Sequence, residues 1–532
     1  MRHLISLRSV ASHPIFFVAC ASVFNSIWFN LPLLKYLWKH LDFGADASWI
    51  TALLVWLLPT VLSAVFFSIL SLFSNGLLKA FMMLCFLANA MALYFIAQYG
   101  VVLDRTMMGN VFNTNSQEVS ALLDPWMLVH ILGWAGVPMA LAYAWPLRVV
   151  PWWHKALGAV APLVAYVGLL YIFSFTWLWF DRHASQVGSR VLPWSYVVNS
   201  VRHFQQEKED RRQFPPLPDA VTTPLNGEKR VLVLVIGESA RADRFSMLGY
   251  HRDTNAETRS LGVVAVPGVT SCASYTLAAL NCILSHRGDD APTRSEMGEP
   301  LPTFLLRQGV SVIWRSANSG QPPIATSLFE TRADIKKYCP GEVCPRDSWD
   351  EVLLEGLPEL IRKAQSDRVF VVLHLSGSHG PSYHEKYPPE FERYQPTCKT
   401  VMLKECNPQE LQNAYDNTIA YTDHVLARLS QVLTSIDANS AWLYLSDHGE
   451  SLGESGLFLH GTPATLAPKE QINIPLQLWF SPQFQRSFQG DLAKASRMVA
   501  VGQGHVFHTV MGLLSLHGGP YRVDLDLTKE LN

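Results

Sequence analysis

Acidic and histidine side chains follow the apolar, β-branched runs of this 532-residue chain after residue 230. In chain order they are Glu238, His379, Asp447, His448 and, in LFLHGTP, His460. Carboxylate oxygens and imidazole nitrogens are ligands that zinc accepts. Because ligands of an open parallel sheet bind beyond the carboxyl ends of its strands, the set predicts a metal site at that edge.

A hydroxyl nucleophile is available in VTSCASYTLAALNCILSH, where Ser274 starts a predicted helix that ends near His286. The N–H groups and dipole of a helix N-terminus suit a phosphoryl oxygen, and a metal bound to the hydroxyl would lower its pKa. Ser274 is thus a candidate nucleophile. Helix capping is its alternative role, and the hydroxyls of Ser271 and Thr276 compete with it at this spacing.

The elements that position these residues are short apolar strands that alternate with helices. The strands are predicted in VLVLVIG, VSVIWRS (310–316), RVFVVLHLSG (368–377), AWLYLSDHG (441–449) and IPLQLWF (474–480). Helices are predicted around 349–364, 409–436 and 505–516. Continuous apolar strands separated by helices favour a mostly parallel sheet that is covered by helices on both faces.

The part of the chain before residue 181 has the composition of a membrane domain. Five apolar stretches lie near 15–37, 49–73, 80–102, 126–145 and 156–180. Each has about the 20 residues that cross a hydrocarbon core. The sequence therefore predicts a five-helix transmembrane domain over 1–180, a polar, proline-containing linker over 181–229, and a globular domain over 230–532.

Charges that flank the predicted spans give an orientation. Five basic residues lie on one side and three on the other: Arg2, Arg8, Lys79, Arg148 and Lys155 against Lys35, Lys39 and Arg105. This bias places the N-terminus inside, and an odd number of spans then places the globular domain outside. The first span lacks a small-residue cleavage site and is predicted to be an uncleaved anchor.

Cysteine positions agree with export of the globular domain to an oxidising compartment. Two of the eight cysteines, Cys20 and Cys85, lie in predicted spans, and the other six form close pairs. The pairs are Cys272/Cys282, Cys339/Cys344 and Cys398/Cys406. Pairing by proximity is the simplest interpretation, although spacing alone does not fix connectivity. The net charge of −2 excludes the basic footprint of a nucleic-acid-binding protein.

Long motifs resemble those of a known family. They are GESARADRFSMLGYHRDTN, SCASYTLAALNC, HLSGSHGPSYHEKYPPEFERYQPTC, NAYDNTIAYTDHVLARL and SDHGESLGESGLFLHGTP. Over nearly its whole length the chain resembles the lipid A phosphoethanolamine transferases of Gram-negative bacteria, which include the mobilised colistin-resistance enzymes. The resemblance implies an N-terminal five-helix bundle and a C-terminal α/β domain of the alkaline phosphatase/sulfatase type.

The resemblance also implies roles for individual residues. A tightly bound zinc ion is expected on Glu238, Ser274, Asp447 and His448, and a second zinc during turnover is left open. The active-site histidines are His374, His379 and His460, of which the last two bind substrate phosphate or the second zinc. Donor contacts are expected from Asn110, Thr114 and Glu118, and the three cysteine pairs are expected to be disulfides.

Two positions depart from the family pattern. The family nucleophile is usually threonine, whereas the position matched to it here is Ser274, which keeps the hydroxyl. The substrate-contacting Asn318 is present in NSGQPPI, but the lysine that often follows in relatives is missing. The missing lysine puts one substrate contact in doubt.

The implied reaction is a two-step transfer of phosphoethanolamine from phosphatidylethanolamine to lipid A through a covalent serine intermediate. The protein is expected to be a monomer of the bacterial inner membrane with a periplasmic catalytic domain, and to confer polymyxin resistance. Alternative acceptors are lipopolysaccharide core sugars such as Kdo or heptose, another glycan, or a protein.

Other classes of protein are less consistent with the sequence. A sulfatase needs a Cys-x-Pro-x-Arg or Ser-x-Pro-x-Arg run, which is missing around Cys272 and Ser274. A simple phosphodiesterase would not need five spans. A transporter usually carries ionisable residues inside its spans, and apart from His130 these spans have essentially none. A catalytically dead membrane scaffold is the remaining alternative, and zinc content separates it from an enzyme.

Overall fold

The computed structural model describes residues 10–44, 46–113, 124–210, 214–225, 227–291, 293–337, 349–463 and 466–531. The chain divides into two compact units. The first comprises Met1–Gly109 and Leu123–Gln205, and the second comprises Asn110–Leu122 and Gln206–Asn532.

Helices make up the regular structure described before residue 211. The α-helices are Pro14–Trp28, Leu31–His40, Asp46–Phe73, Asn75–Tyr99, Arg105–Asn113, Pro125–Ile131, Val137–Ala144, Trp152–Ile172, Trp177–Gly188 and Trp194–Asp210. A π-helical turn over Leu132–Gly136 joins two of them, and a 3-10 turn over Ser174–Thr176 precedes Trp177.

Four of these described segments are long and apolar enough to cross a membrane: Ser48–Phe73, Asn75–Tyr99, Pro125–Ala144 and Trp152–Ile172. A fifth span is present if Pro14–Trp28 and Leu31–His40, which are bent by 58°, cross as one. The predicted first span, 15–37, falls on this bent pair. The predicted last span, 156–180, is displaced, because its helix begins at Trp152 and ends at Ile172.

The bend in the first apolar segment is built around Asn30. The side-chain amide of Asn30 donates to the carbonyl of Asn25 at 3.1 Å, and its oxygen accepts from the N–H of Leu192 at 2.8 Å. Pro32 follows and has no N–H to continue the helix. These contacts supply partners to polar groups at the break, which an apolar surrounding would otherwise leave unsatisfied.

The predicted linker over 181–229 is helical in its first part, which corrects the prediction. Two helices, Trp177–Gly188 and Trp194–Asp210, extend into it, and residues up to Gln205 belong to the first unit. The reason is apolar packing within a polar sequence: Val187 and Val191 are buried in one cluster with Leu33 and Leu37. Burial of this kind stabilises helices that composition alone does not favour.

The second unit is built on a seven-stranded sheet. Its strands in chain order are β1 (Arg230–Gly237), β2 (Val264–Val266), β3 (Ser311–Ser316), β4 (Leu328–Thr331), β5 (Arg368–His374), β6 (Asn439–Ser446) and β7 (Leu476–Phe480). The spatial order is β2-β7-β6-β1-β5-β3-β4. Strands β6, β1, β5, β3 and β4 are parallel neighbours, and β7 is antiparallel to both β6 and β2. The predicted, mostly parallel sheet is confirmed, with the short edge strands β2 and β4 added.

Alternate residues of β1 enter the two hydrophobic cores on opposite faces of the sheet. Leu232, Leu234 and Ile236 lie in one, and Val231 and Val233 lie in the other. The α-helices of this unit are Ala256–Arg259, Thr276–Leu284, Arg294–Met297, Leu301–Arg307, Arg332–Lys336, Leu357–Lys363, Pro408–Thr434, Lys469–Ile472, Pro482–Ser487, His505–Leu513 and Leu527–Glu530. Two short strand pairs complete it: Val221–Thr222 with Leu516–His517, and Ser451–Leu452 with Phe458–Leu459.

Disulfide bonds join two of the three predicted cysteine pairs, Cys272–Cys282 and Cys398–Cys406. The third pair, Cys339 and Cys344, lies outside the described residues. The first bond encloses the start of the helix Thr276–Leu284, so it links the candidate nucleophile segment to that helix.

Candidate functional site

Strand register brings the predicted ligands to one edge of the sheet. Gly237 of β1 pairs with Ser446 of β6, so Glu238 and Asp447 follow at the same level. On the other side of β1, Ile236 pairs with His374 of β5. Three neighbouring parallel strands therefore deliver ligand-type side chains to the carboxyl edge, as the sequence predicted.

Glu238, Asp447 and His448 form a compact, fully buried group. Nε2 of His448 lies 3.2 Å from Oε1 of Glu238 and 3.3 Å from Oδ2 of Asp447. One ligand atom from each residue lies within 4.8 Å of the other two. Oδ2 of Asp447 is buried and accepts no hydrogen bond from any described residue. An unpartnered carboxylate oxygen beside a second carboxylate and an imidazole fits a zinc ion.

Two further groups of ligand atoms adjoin the first. Glu238, His379 and His460 form one, and His448, Glu450 and His460 form the other, each within 4.8 Å. Sequence reasoning did not select Glu450. The sequence feature that could have identified Glu450 is its position two residues after His448 in SDHGE, close to a strand end.

Among the three candidate hydroxyls, that of Thr276 lies beside this group. Its Oγ1 donates to Oε2 of Glu238 at 3.1 Å and lies 3.4 Å from Nε2 of His448. Thr276 is the first residue of its helix, after the extended Tyr275. The hydroxyl therefore lies where the helix N-terminus meets the ligand group, which is the position expected of the nucleophile.

Ser274, the predicted nucleophile and metal ligand, has a different partner in the described structure. Its hydroxyl donates to the carbonyl of Thr462, and that of Ser271 donates to the carbonyls of Ala273 and Asp447. The physical reason is that the helix begins two residues later than predicted, so Thr276 occupies its first turn. A threonine, the residue type usual for the family nucleophile, thus lies beside the ligand group, two residues after the predicted position.

Asn318 and His374 both lie beside Glu238. The amide of Asn318 donates to Oε2 of Glu238 at 2.6 Å and to the carbonyl of Leu375 at 3.2 Å. Nδ1 of His374 lies 3.3 Å from the hydroxyl of Ser316, whereas its buried Nε2 has no partner in the described part of the chain. Asn318, predicted to bind substrate, thus contacts a metal-ligand candidate directly.

Burial and neighbouring charges shift the pKa values of the site groups in both directions. Burial raises the pKa of Glu238, but the hydrogen-bonded His448 opposes it, and the net pKa lies well below its usual value. Burial, aided by the Glu238 charge, raises the pKa of Asp447. Burial lowers the pKa of His374 to about 4 and that of His379 to about 4. The shifts of Glu238 and His379 favour the charged carboxylate and neutral imidazole that bind a metal. The raised pKa values of Asp447 and, through the Glu238 charge, of His448 favour their protonated forms, so metal binding there would release protons.

A hydrogen-bonded chain orients His460. Its Nδ1 lies 3.0 Å from Oε2 of Glu450, and Oε1 of Glu450 accepts from the hydroxyl of Tyr383 at 2.9 Å. Glu450 is fully buried and Tyr383 is nearly so. A carboxylate on one ring nitrogen selects the tautomer of an imidazole and leaves the other nitrogen for substrate or metal.

Of the three predicted donor-contact residues, Asn110 is the one that the structure describes. Asn110 is half-buried in the helix Arg105–Asn113 and belongs to the second unit. Its amide nitrogen lies 3.5 Å from the point that a Cβ on Gly461 would occupy. Thr114 and Glu118 lie outside the described residues.

Comparison with known proteins decides the family. Residues 230–516 match the sulfatase family, and residues 61–208 match the family of phosphoethanolamine transferases EptA/EptB. Phosphoethanolamine transferase EptA of Helicobacter pylori is 34% identical over 523 residues, which cover 96% of this chain and 95% of that protein. The chain belongs to the phosphoethanolamine transferase family. Phosphatidylethanolamine transferase Mcr-1 of Escherichia coli is 32% identical over 499 residues, which cover 90% of this chain and 91% of that protein.

A solved structure extends the likeness to the whole fold of the transferase. It is the integral membrane lipooligosaccharide phosphoethanolamine transferase A (EptA) of Neisseria meningitidis. The TM-score is 0.84 at 26% identity, over 95% of this chain and 97% of that one. The resemblance inferred from the motifs is confirmed: this protein is a phosphoethanolamine transferase with an alkaline phosphatase/sulfatase-like domain.

Proposed function

We propose that this transferase moves phosphoethanolamine from phosphatidylethanolamine to lipid A through a covalent intermediate on Thr276. The observation that carries the proposal is the Thr276 hydroxyl in contact with Glu238 and His448 at a helix N-terminus. The names of two relatives support the substrates. Mcr-1 is named for phosphatidylethanolamine, and the Neisseria enzyme is named for lipooligosaccharide, whose anchor in the membrane is lipid A.

The first step forms the intermediate. Oγ1 of Thr276 gives up its proton and bonds to the phosphorus of phosphatidylethanolamine, the bond from phosphorus to the diacylglycerol oxygen breaks, and that oxygen takes a proton as diacylglycerol leaves. In the second step a phosphate oxygen or hydroxyl of lipid A bonds to the phosphorus, with loss of its proton where it carries one, and the Thr276 oxygen leaves and takes up a proton. Each step exchanges one oxygen on phosphorus for another, so neither an oxidant nor a reductant is needed.

Glu238, Thr276, Asp447 and His448 would hold a zinc ion at this site. Bound there, the ion supplies Lewis acidity that lowers the pKa of the hydroxyl and balances negative charge on the phosphoryl oxygens. The protein itself positions the groups. The N–H groups at the start of the helix Thr276–Leu284 face a developing oxyanion, and Asn318 fixes the orientation of Glu238.

His379 and His460 adjoin the ligand group and are assigned to the phosphoryl group. Their rings lie 5.2 Å apart, centroid to centroid, and both share a group of ligand atoms with Glu238. We assign them to binding of the substrate phosphate or of a second zinc ion, and to proton transfer at the leaving oxygen. His374, buried at the end of β5, is assigned to support of the same site.

The charges that flank the spans and the disulfide bonds of the second unit support a cellular location for the protein. The basic bias of the flanking sequence supports a cytoplasmic N-terminus in the bacterial inner membrane and a periplasmic catalytic domain. The bonds Cys272–Cys282 and Cys398–Cys406 support an oxidising compartment for the second unit. Asn110, Thr114 and Glu118 are proposed to hold the ethanolamine phosphate of the donor.

Two measurements test the proposal. Intact-protein and peptide mass spectrometry after incubation with phosphatidylethanolamine should find a phosphoethanolamine adduct on the peptide that contains Thr276. Mass spectrometry of lipid A from cells should find added phosphoethanolamine with the wild-type protein and none with Thr276→Ala.

The two results separate the parts of the proposal. An adduct at another residue would overturn the assignment of Thr276. An adduct on Thr276 with unchanged lipid A would instead redirect the acceptor to a lipopolysaccharide core sugar, another glycan or a protein. Added phosphoethanolamine on lipid A without polymyxin resistance would separate the chemistry from the expected phenotype.

A further inference from the structure

Ser239 lies in a backbone conformation that a non-glycine residue rarely adopts. Its φ angle is +57°, in the left-handed region, and its side chain is fully buried. Such a conformation costs free energy and persists only where the surroundings impose it. It occurs here directly after the metal-ligand candidate Glu238.

Three neighbouring elements contact the backbone around Ser239. The hydroxyl of Tyr415 donates to the carbonyl of Ser239 at 2.6 Å, and the N–H of Ala240 donates to the hydroxyl of Ser446 at 2.8 Å. From the loop after β5, Gly377 packs so closely that a Cβ there would lie 2.7 Å from the carbonyl oxygen of Glu238. The helix Pro408–Thr434, strand β6 and this loop thus hold Ser239 in its strained conformation.

In this conformation Ser239 donates to both carboxylates of the ligand group. Its hydroxyl donates to Oε1 of Glu238 at 2.8 Å, and its N–H donates to Oδ1 of Asp447 at 3.1 Å. The second oxygen of each carboxylate is directed elsewhere. Oε2 of Glu238 meets the hydroxyl of Thr276, and Oδ2 of Asp447 lies beside Nε2 of His448.

We propose that Ser239 is a positioning residue that sets the two carboxylates for zinc before the ion binds. Two buried carboxylates repel each other, and neutral donors on one oxygen of each stabilise a fixed orientation without adding charge. The inference rests on the proposed zinc site and adds a residue that does not itself contact the reacting atoms. Loss of partners that orient metal ligands typically weakens metal binding by about 10–100-fold.

Two variants separate this role from a structural one. Ser239→Ala removes the hydroxyl and keeps the strain, whereas Ser239→Gly removes the hydroxyl and relieves the strain. Zinc affinity of the purified full-length protein, measured by competition with a chelator, is expected to fall by about 10-fold or more in both. The melting temperature of the metal-free protein is expected to be higher in the glycine variant than in the alanine variant. Stability and affinity therefore respond differently.

Ser440→Ala is the matched control. Ser440 is a buried serine at the opposite end of β6, and its hydroxyl donates to the carbonyl of Ala438. Its removal should leave zinc affinity unchanged.

Three outcomes would overturn the inference. Zinc affinity within about threefold of wild type in both Ser239 variants would show that the hydroxyl does not position the ligands. Weaker zinc binding in only one of the two variants would assign the change in affinity to backbone strain rather than to the lost hydroxyl. Absence of zinc binding by the wild-type protein would refute the proposed zinc site and this inference together, which distinguishes that failure from the first two.

Discussion

Replacement of the two candidate hydroxyls, Thr276 and Ser274, should have very different effects on the transferase reaction. Thr276→Ala removes the hydroxyl that contacts Glu238 and His448, whereas Ser274→Ala removes a donor to the carbonyl of Thr462. Each variant removes one hydroxyl, and the two positions are only two residues apart, although Thr276→Ala also removes a methyl group. They therefore serve as matched controls for each other.

The expected magnitudes follow from these contacts. Without its nucleophile the covalent step cannot occur, and kcat/KM should fall on the order of 10³-fold or more, which is about 4 kcal/mol in the barrier. Loss of the Ser274 hydrogen bond should cost about 1 kcal/mol of stability. If that cost appeared in the reaction rate instead, it would amount to only about fivefold. Thr276→Ser keeps the hydroxyl and should stay within about tenfold of wild type.

The assay measures both the intermediate and turnover. Each purified full-length variant is incubated with two samples of phosphatidylethanolamine. A fluorescent headgroup labels the protein intermediate, and a fluorescent acyl chain labels the released diacylglycerol; both products are quantified. Zinc content and melting temperature are measured on the same samples, so that loss of metal or of folding is recognised. The expected result is no labelled protein for Thr276→Ala and near-normal labelling for Ser274→Ala.

The opposite pattern would refute the reasoning. If Ser274→Ala abolished labelling while its fold and zinc content were retained, and Thr276→Ala still became labelled, the hydroxyl that contacts Glu238 would not be the nucleophile. The Thr276 contact would then be structural, and the assignment would return to Ser274.

Three further predictions concern residues around the site and in the core. Tyr383→Phe should lower kcat by about tenfold with little change in KM, because it removes the donor that holds Glu450; equal kcat values would show that this hydroxyl does not act through His460. Replacement of Cys272 and Cys282 by serine should lower the free energy of unfolding by about 3 kcal/mol, since the bond closes a loop of sequence separation 10; an unchanged denaturation midpoint would contradict this. Burial lowers the pKa of His508 from about 6.5 to about 4. As the pH falls below about 6.5, the unfolded chain therefore binds a proton on this ring before the folded chain does. The stability that the neutral His508 contributes is lost between about pH 6.5 and pH 4. The melting temperature of wild type relative to His508→Asn should therefore fall on acidification, and a pH-independent difference would refute it.

The neutral state of His508 is also visible in its contacts. Nδ1 accepts from the N–H of Arg522 at 3.1 Å, and Nε2 lies 3.0 Å from the carbonyl of His286. A protonated ring could not accept the first hydrogen bond. This geometry and the lowered pKa agree on the sign of the predicted pH dependence.

Two classes of feature could be predicted from local sequence. Strands β1, β3, β5, β6 and β7 follow from continuous apolar runs, because a strand buried on both faces excludes polar side chains. Glu238, Asp447 and His448 follow directly from those strands, since the end of a parallel strand fixes where the next side chain lies.

Local sequence could not predict the elements that form through contacts between distant parts of the chain. The segment after residue 180 is polar, yet it contains two helices, because Val187 and Val191 are buried against apolar residues far away in the chain. The edge strands β2 and β4 are too short to show a pattern, and they form because a neighbouring strand is available to pair with them.

By itself the sequence determined the kinds of ligand, the apolar segments and the parallel sheet, because these depend on residue type and period. Only the tertiary structure decided which of three nearby hydroxyls meets the ligand group. Ser271, Ser274 and Thr276 are alike in chemistry, and the choice depends on where the helix begins and what lies opposite each side chain. The contacts of Ser239 and Glu450 likewise join segments that are distant in sequence, so no local pattern could reveal them.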